Sequence, residues 1–127
     1  MSAFTRYEVL PVPKPRQTRA DVWKQRPAVM RYRAFADELR LKVRVRDVPL
    51  PYHVVFVLPM PASWSAKKRR EMNLQPHIVK PDKDNLEKAF LDALFPEDSH
   101  IWDGRASKLW GVRGEIWLRP VADWRVA

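Results

Sequence analysis

The run Lys80-Pro81-Asp82-Lys83-Asp84-Asn85-Leu86-Glu87-Lys88 sets two carboxylates two residues apart and an ammonium group four residues after the second. Glu87, Asp92, Glu97, Asp98 and Asp103 join them, so seven of the chain's 15 acidic residues fall here while the whole protein carries +9. Carboxylates gathered in one place on a basic protein are suited to holding a cation. The positive remainder is suited to a polyanion, because a charge of this size attracts phosphates from a distance. Phosphodiester hydrolysis unites the two. It needs charge neutralisation at phosphorus and an in-line oxygen nucleophile, and clustered carboxylates holding one or two Mg²⁺ ions serve both needs. With no cysteine, disulfides, thiolate zinc sites and a cysteine nucleophile are excluded. His53, His77 and His100 show no paired ligand spacing, which leaves oxygen donors and hence Mg²⁺ or Mn²⁺.

These acids need an element to aim them. Leu86, Ala89, Phe90, Ala93 and Leu94 recur at i, i+3, i+4, i+7 and i+8, which predicts an amphipathic helix facing the core. Lys80 precedes a proline and is expected to be extended. Asp82 and Asp84 then straddle the passage from extended chain into helix. A plainer reading stands beside this one: Asp84 with Glu87 three residues on fits a capping box, and acids favour helix N-termini. A cap needs one acid, however, and leaves Asp82, Lys88 and the later cluster unexplained. The stretch is not an EF-hand loop, because Leu86 stands where a ligand is needed and Glu87 where glycine is.

Upstream, Phe4 to Leu10 alternates as a short strand, and Pro11, Pro13 and Pro15 force an extended loop. Pro27 opens a helix whose apolar stripe is Tyr32, Phe35, Ala36, Leu39 and Val43. Tyr52 to Leu58 reads as a strand with Val54, Phe56 and Leu58 on one side and Val55 and Val57 on the other. Arg105 to Trp110 and Glu115 to Leu118 flank Gly111 to Gly114 and read as a β-hairpin. The order implies a single α+β domain over residues 1–127, a mixed sheet with helices packed on one face. The longest apolar run, Val54 to Leu58, is too short to span a membrane. Met1 to Leu10 lacks a signal-peptide core, so a cytoplasmic location is expected.

The polar, basic stretch from Ser63 to Arg70 is expected to be a short helix or mobile arm. Its Lys67, Lys68, Arg69 and Arg70, with Lys80, are the expected contacts to duplex phosphates. Trp64 is placed to stack on a splayed base, the alternative being loop packing. Trp102, Trp110 and Trp117 are expected in the core or a subunit interface. Asp92, a turn past Lys88, is expected to orient that lysine.

The stretch from Lys80 to Leu94, then Glu97-Asp98-Ser99-His100-Ile101 and Lys108-Leu109-Trp110-Gly111, resembles the RusA-type Holliday junction resolvases of phages and prophages. Pro-Asp-x-Asp-Asn-Leu-x-Lys followed by Asp-Ala-Leu is the distinctive core. Met60-Pro-Ala-Ser-Trp-Ser65 with its basic continuation looks like the phage branch. The resemblance implies a homodimeric, Mg²⁺-dependent endonuclease (with Mn²⁺ as a substitute ion) that cuts four-way or branched DNA by paired symmetric nicks. It implies that Asp82, Asp84 and a later aspartate, matched by Asp98, bind the metal and catalyse, with Lys88 as the essential lysine. Phe95-Pro96 is a shorter connection than relatives carry, which leaves Glu97 and Asp103 as substitutes for Asp98. The usual asparagine-containing loop after the first strand is replaced by Pro11 to Arg19, so junction contacts there do not carry over. Two competing classes remain: a non-catalytic nucleic-acid-binding module, indifferent to Mg²⁺, and a structural dimerisation subunit.

Overall fold

The computed structural model describes residues 3–16 and 26–121. Along the chain run β1 (Thr5–Tyr7), α1 (Pro27–Lys42), β2 (Tyr52–Pro59), α2 (Ala66–Met72), α3 (Lys83–Leu94), β3 (Gly104–Gly111) and β4 (Glu115–Pro120), with a 3₁₀ turn at Val45–Asp47. The strands form one mixed sheet in the order β1-β4-β2-β3. β2 pairs in parallel with β3, Tyr52 opposite Gly104 and Pro59 opposite Gly111. It pairs antiparallel with β4, Tyr52 opposite Pro120, and β4 pairs antiparallel with β1.

The hairpin expected of β3 and β4 does not form. Both strands exist, but β2 lies between them. The reason is legible in β2 itself: Tyr52 to Leu58 are all buried, on both faces, and a strand apolar on both sides belongs inside a sheet with neighbours on each edge. The link from Val112 to Gly114 therefore crosses the end of β2, where Met60 N–H donates to the Gly111 carbonyl at 3.0 Å. Gly111 is demanded there, because a Cβ would lie 2.2 Å from a Val57 methyl.

One face of the sheet carries the main core. Val54, Phe56 and Leu58 of β2 and Ile116 and Leu118 of β4 meet Phe35, Ala36 and Leu39 of α1 and Leu86, Ala89, Phe90, Ala93 and Leu94 of α3. Both helical stripes fall as their periodicity dictates. Fully burying each of Leu86, Phe90 and Leu94 contributes about 1.5–3 kcal/mol. Phe90→Ala would cost about 3–5 kcal/mol, since its ring packs against both Tyr52 and Phe56. Arg40 also ties the two helices, donating from Nε to the Ala93 carbonyl at 2.8 Å. The opposite face holds a smaller cluster of Val55, Val57 and Trp117 with Phe4 and Leu109. Trp110 is buried as expected, whereas Trp102 is exposed. No helix among the described residues is long and apolar enough to cross a membrane.

After α2 the chain reverses through Leu74, whose φ of 61° is left-handed, a conformation that costs a non-glycine residue about 1–2 kcal/mol. Residues 74–77 then run antiparallel along β3. Leu74 N–H donates to the Trp110 carbonyl at 2.8 Å, Trp110 N–H to Gln75 at 3.0 Å and His77 N–H to Lys108 at 3.1 Å. The turn that follows delivers Asp82 to the start of α3.

Candidate functional site

Asp82 is the N-cap residue of α3, with extended backbone (φ −69°, ψ 144°). Its carbonyl accepts the first helical bond, from Leu86 N–H at 3.2 Å. Its side chain does not cap the helix, although aspartate is among the preferred capping residues. Asp84 lies one position inside and accepts from the N–H of Asn85 at 3.0 Å. Both aspartates are exposed. The capping box of Asp84 and Glu87 does not form, because the helix starts two residues before Asp84 could cap it. Glu87 turns instead to the core and accepts a hydrogen bond from the Tyr52 hydroxyl.

Tyr52 anchors a second acidic neighbourhood. Burial, the Glu87 bond and the charges of Asp103 and Asp98 push its phenol well above its ordinary range. Asp98 is exposed on the connection to β3, where its carbonyl accepts from Ile101 N–H at 2.9 Å. Glu97 accepts from Ser99 N–H at 2.9 Å, and that bond holds its carboxyl below the usual range. Of the three candidates for the later acid, Glu97 is thus engaged in its own turn. Among the described residues no three acids or histidines gather within reach of one ion. Asp82 and Asp84 stand at the helix start, and Asp98 and Asp103 lie toward Tyr52.

Lys88 is exposed on α3, and no ion pair joins it to Asp84 among the described residues. Asp92 does not orient it. Asp92 pairs with Lys14 at 3.2 Å, whose N–H donates to the Asn85 carbonyl at 3.1 Å. The loop after β1 is thereby docked on α3, and Lys14, Arg16, Asn85, Lys88 and Asp92 line one cavity of about 640 Å³. A second open cleft, about 700 Å³, is lined by His77, Ile78, Val79, Lys80, Asp82, Lys83 and Lys108. Lys108, on β3, donates to the carbonyls of Val79 and Pro81 at 2.6 Å each. Burial lowers its pKa, and the Asp82 charge opposes that shift. Sequence reading passed over Lys108, Tyr52 and the Glu87 partnership.

The basic arm is a helix, α2, capped by Ser65 Oγ accepting from Lys68 N–H at 3.2 Å. Lys67, Lys68 and Arg70 are exposed. Arg69 is half-buried and donates to the Pro61 carbonyl at 2.8 Å, so it secures the helix to its own loop. Trp64 is half-buried against Trp110. Its ring lies 4.7 Å from Trp110, the Lys68 ammonium is 4.3 Å from its centroid, and His77 stacks on Trp110 at 4.0 Å. His77 is buried, and burial with the Lys108 charge lowers its pKa.

The family model for the endodeoxyribonuclease RusA matches residues 8–119. The chain belongs to the RusA endodeoxyribonuclease family. That match runs from just after β1 to Arg119 in β4 and takes in both aspartates, Lys88 and Asp98. RusA proteins are endodeoxyribonucleases of the Holliday junction resolvase class, acting on branched DNA. No curated protein and no solved structure matches this RusA-family chain.

Proposed function

We propose that this chain is a Mg²⁺-dependent endonuclease that nicks four-way DNA junctions in symmetric pairs, working as a homodimer. The carrying observation is that Asp82 and Asp84 stand exposed at the start of α3, with no side-chain cap on Asp82, in a RusA-family chain. Hard oxygen donors suit Mg²⁺, which is commonly held by one or two carboxylates with water and substrate phosphate completing its shell. Two exposed aspartates therefore fit the ion without a third acid already drawn in, and Asp98 is the third ligand we favour once DNA is seated. When bound, the ion neutralises phosphate charge and lowers the pKa of the attacking water.

The protein's own groups do the rest. Lys88, on the Asp84 face of α3, stabilises negative charge developing on the phosphate or positions the water. Lys67, Lys68 and Arg70 on α2, with Lys80 beside the cleft, hold duplex phosphates and set register. Trp64 already packs on Trp110 and under Lys68, so we assign it first to shaping the arm. A two-fold pair of chains brings two sites to a substrate of near two-fold symmetry.

The deciding experiment incubates labelled four-way junction and linear duplex with the protein, with and without Mg²⁺ or Mn²⁺. Symmetric nicks on the junction that vanish with chelator are expected. Junction binding without cutting under any divalent ion would leave a binding module instead.

A further inference from the structure

We propose that Lys108 is a positioning residue that sets the Asp82 carboxylate by clamping the turn before it; this rests on the nuclease reading above. Its ammonium donates to the carbonyls of Val79 and Pro81, at 2.6 Å each. These acceptors flank Lys80 and lead directly into Asp82. The turn has little else to hold it. Ile78 is 86% and Val79 55% exposed, so its apolar side chains provide no anchor in the core. Asp82 forms no cap bond that would orient its carboxylate from the helix side.

The far end of the clamp is fixed. Lys108 lies opposite Phe56 of β2 in the parallel ladder, and its carbonyl accepts from His77 N–H at 3.1 Å. Two of the three ammonium donors are thus committed to main-chain oxygens. A neutral side chain of the same length would leave both carbonyls without that partner and the turn without its tether. Removing a partner that orients a metal-binding group typically lowers metal affinity about ten- to a hundredfold.

The test compares Lys108→Met and Lys108→Arg with the unaltered protein. The readouts are Mn²⁺ affinity without DNA, by electron paramagnetic resonance of the free ion, junction binding in chelator, and the Mg²⁺ dependence of nicking. Lys108→Met is expected to fold, to bind junctions within about twofold, and to bind Mn²⁺ about ten- to a hundredfold more weakly. Its Mg²⁺ requirement should rise by the same factor, with the rate recovered at saturation. The arginine variant should restore part of the affinity, because it still donates to both carbonyls. Unchanged Mn²⁺ affinity in folded Lys108→Met overturns the proposal, as does a rate that stays low at saturating Mg²⁺ with affinity intact. Should the methionine variant not fold, Lys108→Gln, which removes the ammonium group but keeps a polar side chain, takes its place. Weaker Mn²⁺ binding there supports the clamp and unchanged binding refutes it. Protein that nicks nothing, yet binds Mn²⁺ in a Lys108-dependent way, would keep the clamp and remove the nuclease reading.

Discussion

At the start of α3, Asp82 and Asp84 are exposed and, among the described residues, form no hydrogen bond or ion pair with another side chain; further along, Glu87 accepts from the buried Tyr52 hydroxyl and Asp92 pairs with Lys14 at 3.2 Å. All four are carboxylates within eleven consecutive residues. The difference lies in what each faces. Glu87 points at the sheet, where an unpaired charge would be costly, and has a donor there. Asp92 points at the docked loop and holds it. The first two are exposed, and beyond the bond from Asn85 N–H to Asp84 no hydrogen bond or ion pair among the described residues engages their carboxylates. Acids without structural partners are the ones left for a ligand.

Substitution should separate the two groups most sharply at the helix start. Asp82→Asn or Asp84→Asn is expected to lower junction nicking by about a thousandfold or more, several kcal/mol of transition-state stabilisation. Urea unfolding should move by no more than about 0.5 kcal/mol, and junction binding should hold or tighten as repulsion from phosphate falls. Wild-type nicking by either variant would erase the contrast.

Glu87→Gln should show the reverse pattern. Weakening a hydrogen bond to a charged acceptor costs about 1–3 kcal/mol, read as a lower urea midpoint, while protein that remains folded still nicks. Alkaline pH probes the same bond without altering Glu87. The Tyr52 phenol is raised above its unfolded value of 10.0, so its contribution is fully present below pH 10 and is lost as pH climbs toward the folded value. Stability should fall above pH 10, and Tyr52→Phe should flatten that fall. The smallest effect is expected from Asp92→Asn. Its pair with Lys14 is partly exposed, at 34% and 22%, and losing it should cost about 0.2–1 kcal/mol.

Both long helices were legible because their apolar stripes repeat at a short period. The acids at the start of α3 were legible because a proline and two aspartates mark a boundary locally. The pairing of β3 and β4 was misread because Gly111 and Gly114 are local turn signals, whereas the insertion of β2 is decided by a burial requirement elsewhere in the chain. Lys108 was unreadable for a related reason. Its carbonyl partners are 29 and 27 residues away, and only the antiparallel run of residues 74–77 along β3 brings their turn to it. Asp92 was given to Lys88 by helix spacing, yet Lys14 reaches it from another loop. A residue's partners are visible in sequence when they share its helix, and hidden when the fold supplies them.

The reversal at Leu74 also covers part of a sheet edge. Open sheet borders are templates for strand addition and aggregation. Here Lys108 to Trp110, toward one end of β3, carry residues 74–77 as main-chain partners on the outer side, and the other border is β1, three residues long. Strand addition along the full length of β3 would first require peeling away the segment that leads to Asp82. A chain added along that whole edge would therefore loosen the turn that Lys108 clamps.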